Sequence, residues 1–263
     1  MAFWETIQGA TLDAIVGRAA YAGPAQLWAQ IHRGNPGPTW TSNIATNLDG
    51  GARKQLIFGT PAANGEILNT NAPEWTAVGA DTWSAMTIWD AVTGGNPISG
   101  RWPSAPISIP DGDVLSFPPG AIKPDWLATG AGLFLNPIKN KILDAVYRGV
   151  SYQSTGVWVM AHTGDPGVDG TSNIAADASR VQITPWGNPP TTAYPRTIDS
   201  TSTVIEWASR TATEVLTWVS FWSEASGGNA IAREDIGSKS VTIGDKLRVT
   251  PATSRFGTTA VVG

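Results

Sequence analysis

The chain has 263 residues, a net charge of −4 and a pI near 5.1, a length that accommodates one large β domain or two of ordinary size. Charged residues are only 14% and hydrophobic ones 41%, which excludes a disordered or solvating acidic chain. Cysteine is absent, histidine occurs twice and Lys and Arg form no cluster, so disulfides, thiolate nucleophiles, zinc or iron–sulfur cofactors and a nucleic-acid face are not expected.

In chain order, the predicted elements begin with a short helix capped at Thr11, with Leu12, Ile15, Val16, Ala19 and Ala20 on a helical period and a stop at Gly23-Pro24. Short β-rich runs follow at 27–31, 53–58, 85–89 and 114–117. A second helix opens on Asn136-Pro137 and carries Ile138, Ile142, Leu143 and Val146; proline is well placed at a first helical position. Further runs at 157–161, 180–184, 215–222 and 246–249 complete the series. Short strands punctuated by turn residues read as β-sandwich or jelly-roll-like. No stretch approaches the ~18 apolar residues of a membrane span, and the start lacks the basic and apolar regions of a secretory signal. The reading is a chain made in the cytoplasm, without membrane insertion.

The series is a duplication. Leu12-Asp13-Ala14-Ile15 returns as Leu143-Asp144-Ala145-Val146, Leu27-Trp28 as Val157-Trp158, and His32 through Gly37 as His162 through Gly167. Thr41-Ser42-Asn43-Ile44-Ala45 recurs unchanged from Thr171, followed by the pairs Arg53/Arg180, Glu74-Trp75/Glu206-Trp207, Trp89/Trp222, Gly94-Gly95-Asn96/Gly227-Gly228-Asn229 and Gly112-Asp113/Gly244-Asp245. The fold expected is mainly β: two tandem sandwich domains, 1–126 and 137–263, each preceded by a short helix, with a linker at 127–136.

The two histidines occupy equivalent strand ends, and His32 and His162 read as residues that close the strand and hydrogen-bond the following loop. That loop is expected to bury Ile44 and Ile174; Ser42 and Ser172 have no base beside them. The paired acids Glu74/Asp113 and Glu206/Asp245 meet the minimum for glycosidase chemistry, yet fit equally a half-exposed strand and a turn entering a strand, and no enzyme or catalytic residue is expected. Tryptophan is the anomaly, its 13 copies exceeding Tyr and Phe combined. Trp28/Trp158, Trp75/Trp207 and Trp89/Trp222 are shared by both copies and are expected in each core. Trp4, Trp40, Trp83, Trp102, Trp126, Trp186 and Trp218 belong to one copy only, and some are expected at surfaces. Trp40, Trp102, Trp126 and Trp186 are the candidates for subunit interfaces or for stacking on a sugar.

Residues 12–21, the strand ending in histidine, Gly-Asp/Asn-Pro-Gly, Thr-Ser-Asn-Ile-Ala and Trp89-Asp90-Ala91-x-x-Gly94-Gly95-Asn96 together resemble a family of virion proteins from tailed phages of actinobacteria, described as minor tail or tail-fibre proteins. His162-Thr163-Gly164-Asp165-Pro166-Gly167 is the nearest match, and the first copy departs at Arg33 and Asn35. The resemblance implies a structural virion protein active in assembly and host attachment, with other virion proteins, further copies of itself and host cell-surface glycan as partners. A head decoration protein is the alternative, and a free carbohydrate-binding module a third. Low charge and abundant tryptophan suit permanent interfaces.

Overall fold

A computed structural model describes residues 3–124, 134–177, 179–183, 197–199, 205–207, 209–249 and 255–257. Helix α1 spans Phe3–Ile15 and α2 spans Asn136–Arg148. The first differs from the sequence expectation: Thr11 lies buried inside the helix, and the stop is Gly17, not Gly23. Gly17 adopts φ +81°, and Arg18 N–H donates to Asp13 C=O, a closure that needs a left-handed residue. Gly149 ends α2 in the same way, at φ 66°.

Eight strands follow α1: β1 (Leu27–His32), β2 (Lys54–Leu56), β3 (Glu74–Thr76), β4 (Asp81–Trp83), β5 (Ala85–Trp89), β6 (Pro97–Arg101), β7 (Ile107–Ile109) and β8 (Val114–Ser116). They form an antiparallel sheet of order β2-β1-β5-β6 and two ribbons, β3-β8 and β4-β7. After α2 come β9 (Val157–His162), β10 (Val181–Ile183), β11 (Thr197–Asp199), β12 (Ile205–Trp207), β13 (Glu214–Trp222), β14 (Ala230–Val241), β15 (Leu247–Val249) and β16 (Arg255–Gly257). Their sheet has the order β10-β9-β13-β14, accompanied by the ribbons β12-β15 and β11-β16. The second copy thus repeats the sheet of the first, with one change: β13 and β14 run unbroken where the first copy divides into β4 and β5, and into β6 and β7.

Side chains alternate between sheet faces. Leu27, Ala29, Ile31, Met86 and Ile88 point inward and pack with Trp75, Trp83, Ile109 and Phe117 from the ribbons, where the Phe117 ring meets Trp75 and Trp83 edge-on. This is the sandwich core. The opposite, outer face carries Trp28 beside Trp89, Gln30 beside Thr87 and His32 beside Ala85. Trp28 and Trp158 therefore depart from expectation: they hold equivalent positions but are half-buried on the outer face, while Trp75, Trp207, Trp89 and Trp222 are buried. Trp83, which only one copy has, is buried at an inward position that Leu216 fills in the second copy.

The copies are welded together. Tyr21 and Tyr152 exchange backbone hydrogen bonds, Ser154 N–H donates to Ala14 C=O, and Asp144 accepts from Ala62 N–H. Residues of both copies, including both helices, share one buried cluster. Of the expected linker, Phe134 and Leu135 are buried and Leu135 N–H donates to Ile231 C=O, so the segment entering α2 is packed.

Candidate functional site

On the outer face each copy holds the same chain of hydrogen bonds. Trp89 Nε1–H donates to Thr87 Oγ1 at 2.7 Å, whose hydroxyl donates to His32 Nε2 at 2.8 Å; His32 Nδ1–H donates to the Ser42 carbonyl at 2.8 Å. A carbonyl only accepts, which fixes the proton on Nδ1. In the second copy Trp222 Nε1–H reaches Ser220 Oγ at 2.7 Å, Ser220 reaches His162 Nε2 at 2.6 Å, and His162 Nδ1–H reaches the Ser172 carbonyl at 2.8 Å. Both rings are fully buried, and burial pushes both pKa values down from the ordinary histidine range. Arg53 covers Trp89 with its guanidinium 3.7 Å from the ring centre, and Arg180 covers Trp222 at 3.6 Å. Each arginine also donates to two carbonyls of the next turn: Ala91 and Gly94, or Glu224 and Gly227.

The loop after each histidine is locked by its own side chains. Asn35 Oδ1 accepts from Gly37 N–H at 2.9 Å and Asp165 Oδ1 from Gly167 N–H at 2.8 Å, so amide and carboxylate perform one task there. Asn43 and Asn173 take left-handed φ of 55° and 53° and return Nδ2–H to the Asn35 and Asp165 carbonyls. That turn rolls the next side chain outward. Ile44 is half-buried and Ile174 exposed, contrary to the expected burial, and Ala45 and Ala175 fill the core instead.

Three of the paired acids have hydrogen-bond partners of their own. Glu206 lies opposite Arg248 and accepts from Lys246 and Arg248 at 2.7 Å each, which holds its carboxyl below the usual range. Asp245 is likewise lowered by the Thr242 backbone and hydroxyl donors. Glu74 accepts from Ser116. Arg210, which nothing in the sequence pattern marks, is buried and ion-paired to Glu214 and Asp177. Among the described residues no group of three or more His, Asp or Glu gathers for a metal.

Where the copies differ on this face, the candidate tryptophans appear. Trp40, at φ 61°, and Trp102 meet edge to face at 6.1 Å, 82° apart, both half-buried. They lie against the backbone of β6 at Gly100, where a Cβ would sit 2.7 Å from Trp102 Cη2 and 3.1 Å from Trp40 Cζ3. The matching residue of β14, opposite Ser220 as Gly100 is opposite Thr87, is Arg233. It pairs with Asp165 and lies 5.7 Å from the Trp218 ring centre. Gly170 stands at the place of Trp40, where a Cβ would meet Ala230, Trp222 and Leu135. Among the described residues only the first copy has an aromatic corner here. Trp126 and Trp186 lie outside the described residues.

No curated protein matches the chain. A family model described as podophage GP4 fiber I protein gp80 matches it twice, at residues 2–125 and 134–256. The two matches take in nearly the whole chain and repeat as the sheets repeat, and the chain belongs to the podophage GP4 fiber I protein gp80 family, structural fibre proteins of tailed phages.

Proposed function

We propose that the chain is a non-catalytic fibre subunit, assembled with further copies of itself and other virion proteins, whose first copy meets host-surface glycan through Trp40 and Trp102. The observation that carries this reading is the aromatic corner on Gly100, built on a face otherwise braced identically in both copies. Two flat, half-exposed indoles offer an apolar surface to the C–H face of a sugar ring. The second copy spends the same position on the Arg233–Asp165 pair, which favours an anchoring role for it. A minor tail position fits a fibre subunit better than a head decoration role does, because the family is a fibre family. Competition tests the reading. Purified protein added before phage should block adsorption to host cells in a dose-dependent way; undiminished adsorption at saturating protein would overturn it. Antibody-gold labelling should decorate the tail region, and labelling over the head would instead support decoration.

A further inference from the structure

We infer that the chain has a second saccharide site, a hydrogen-bonding groove where the copies meet, separate from Trp40 and Trp102. The groove measures about 440 Å³ and is bounded by Asn64 of the first copy, by Asn136, Asn140, Lys141 and Asp144 of α2, and by Asp169 and Asn229 of the second copy. That volume suits one or two sugar rings. Asn136, Asn140 and Asp144 recur every four residues and so share one stripe of the helix.

Part of the stripe has a structural task. Asp144 Oδ1 accepts from Ala62 N–H and Arg148, and Asn140 Oδ1 accepts from Gly65 N–H, which docks the turn bridged by Ala63 and Glu66 of the first copy on α2. The remainder has none. Among the described residues the side chains of Asn136, Lys141, Asp169 and Asn229 have no hydrogen-bond or ion-pair partner, and the Asn140 amide N–H groups are unspent.

The duplication supplies the comparison. In the first copy Asn96 donates Nδ2–H to Asp90 at 3.0 Å. In the second, Ser223 replaces Asp90 and takes only the Asn229 backbone N–H, which releases the Asn229 carboxamide at the groove. Thr39 bonds locally to Thr41, whereas its counterpart Asp169 has no partner. Gly9 and Ala10 stand in α1 where α2 has Asn140 and Lys141. The substitutions that mark the second copy at these positions all put polar groups into one cleft.

Carboxamides accept from and donate to neighbouring hydroxyls at once, and a carboxylate beside them accepts from two hydroxyls. Lys141 and Asp169 offset each other in charge, and Asp144 is paired with Arg148, so the groove selects an uncharged polyol over a phosphorylated one. The ligand class is a neutral saccharide; the host surface as its source rests on the function proposed above.

The test is saturation-transfer NMR on the full chain carrying Trp40→Ala and Trp102→Ala, which removes the aromatic corner, with maltose, cellobiose and N,N′-diacetylchitobiose. In that background at least one should still bind, and adding Asp169→Ala with Asn229→Ala should weaken it about tenfold or more. No transfer to any of the three, or binding that survives the Asp169/Asn229 double variant, would overturn the groove. Adsorption competition that persists without disaccharide binding would sink the groove alone, and loss of both would sink the host-contact reading with it.

Discussion

His32 and His162 show how a residue legible in the sequence acquires its physical meaning only in the fold. Their repeat position and the turn after them were readable, but the Thr87 and Ser220 hydroxyls that hold their other nitrogens lie 55 and 58 residues away. Because burial lowers both folded pKa values below the free value of ~6.5, the unfolded chain takes up protons first as pH falls. Their contribution to stability is full above ~6.5 and is lost as pH falls toward the folded-state pKa values. The urea midpoint should therefore drop between pH 8 and 5, and by less in His162→Gln; a wild-type midpoint flat over that range would contradict the buried neutral assignment. Arg210 was invisible in the sequence, since the first copy has Ala77 there. Yet the carboxylate position is shared: Asp81 takes Arg33 in one copy and Glu214 takes Arg210 in the other. Arg210→Ala leaves Glu214 and Asp177 without that cation and should cost about 3–5 kcal/mol, measured by denaturant titration.

Among the elements, strands bracketed by glycine and proline were legible, and 85–89 coincides with β5. β14 was not, because Arg233, Glu234, Asp235, Gly237 and Lys239 break any apolar alternation; its long pairing with β13 holds it as strand. The α1 boundary failed because a threonine before an apolar period imitates a cap. Gly23, read as the helix stop, serves packing instead: a Cβ there would lie 2.3 Å from the Val146 carbonyl oxygen of α2. Backbone cannot yield cheaply at that distance, so Gly23→Ala should destabilise the chain by about 3 kcal/mol, seen as a lower Tm. The aromatic corner was half legible. Trp40 and Trp102 were picked out by their absence from the second copy, but Gly100, which lets both rings lie on β6, could be recognised only by its register opposite Thr87.

At the scale of the whole molecule, duplication was legible from spacing alone, whereas the weld between the copies was not, since the Tyr21–Tyr152, Ser154–Ala14 and Ala62–Asp144 contacts join positions with no sequence signature. One buried cluster spanning both copies predicts a single cooperative thermal transition, and it predicts that residues 137–263 expressed alone lose the native fold, because the α1 face of α2 is then bare; two resolved transitions in the full chain would contradict this. A rigid double scaffold that spends one outer face on an ion pair and the other on an aromatic corner is suited to a fibre that must be anchored at one point and display at another. The most direct measurement of that account is binding of fluorescently labelled protein to host cells, comparing wild type with the Trp40→Ala/Trp102→Ala double variant at matched Tm. The account predicts saturable binding by wild type and a loss of at least about tenfold in the double variant; equal binding by the two proteins would contradict it.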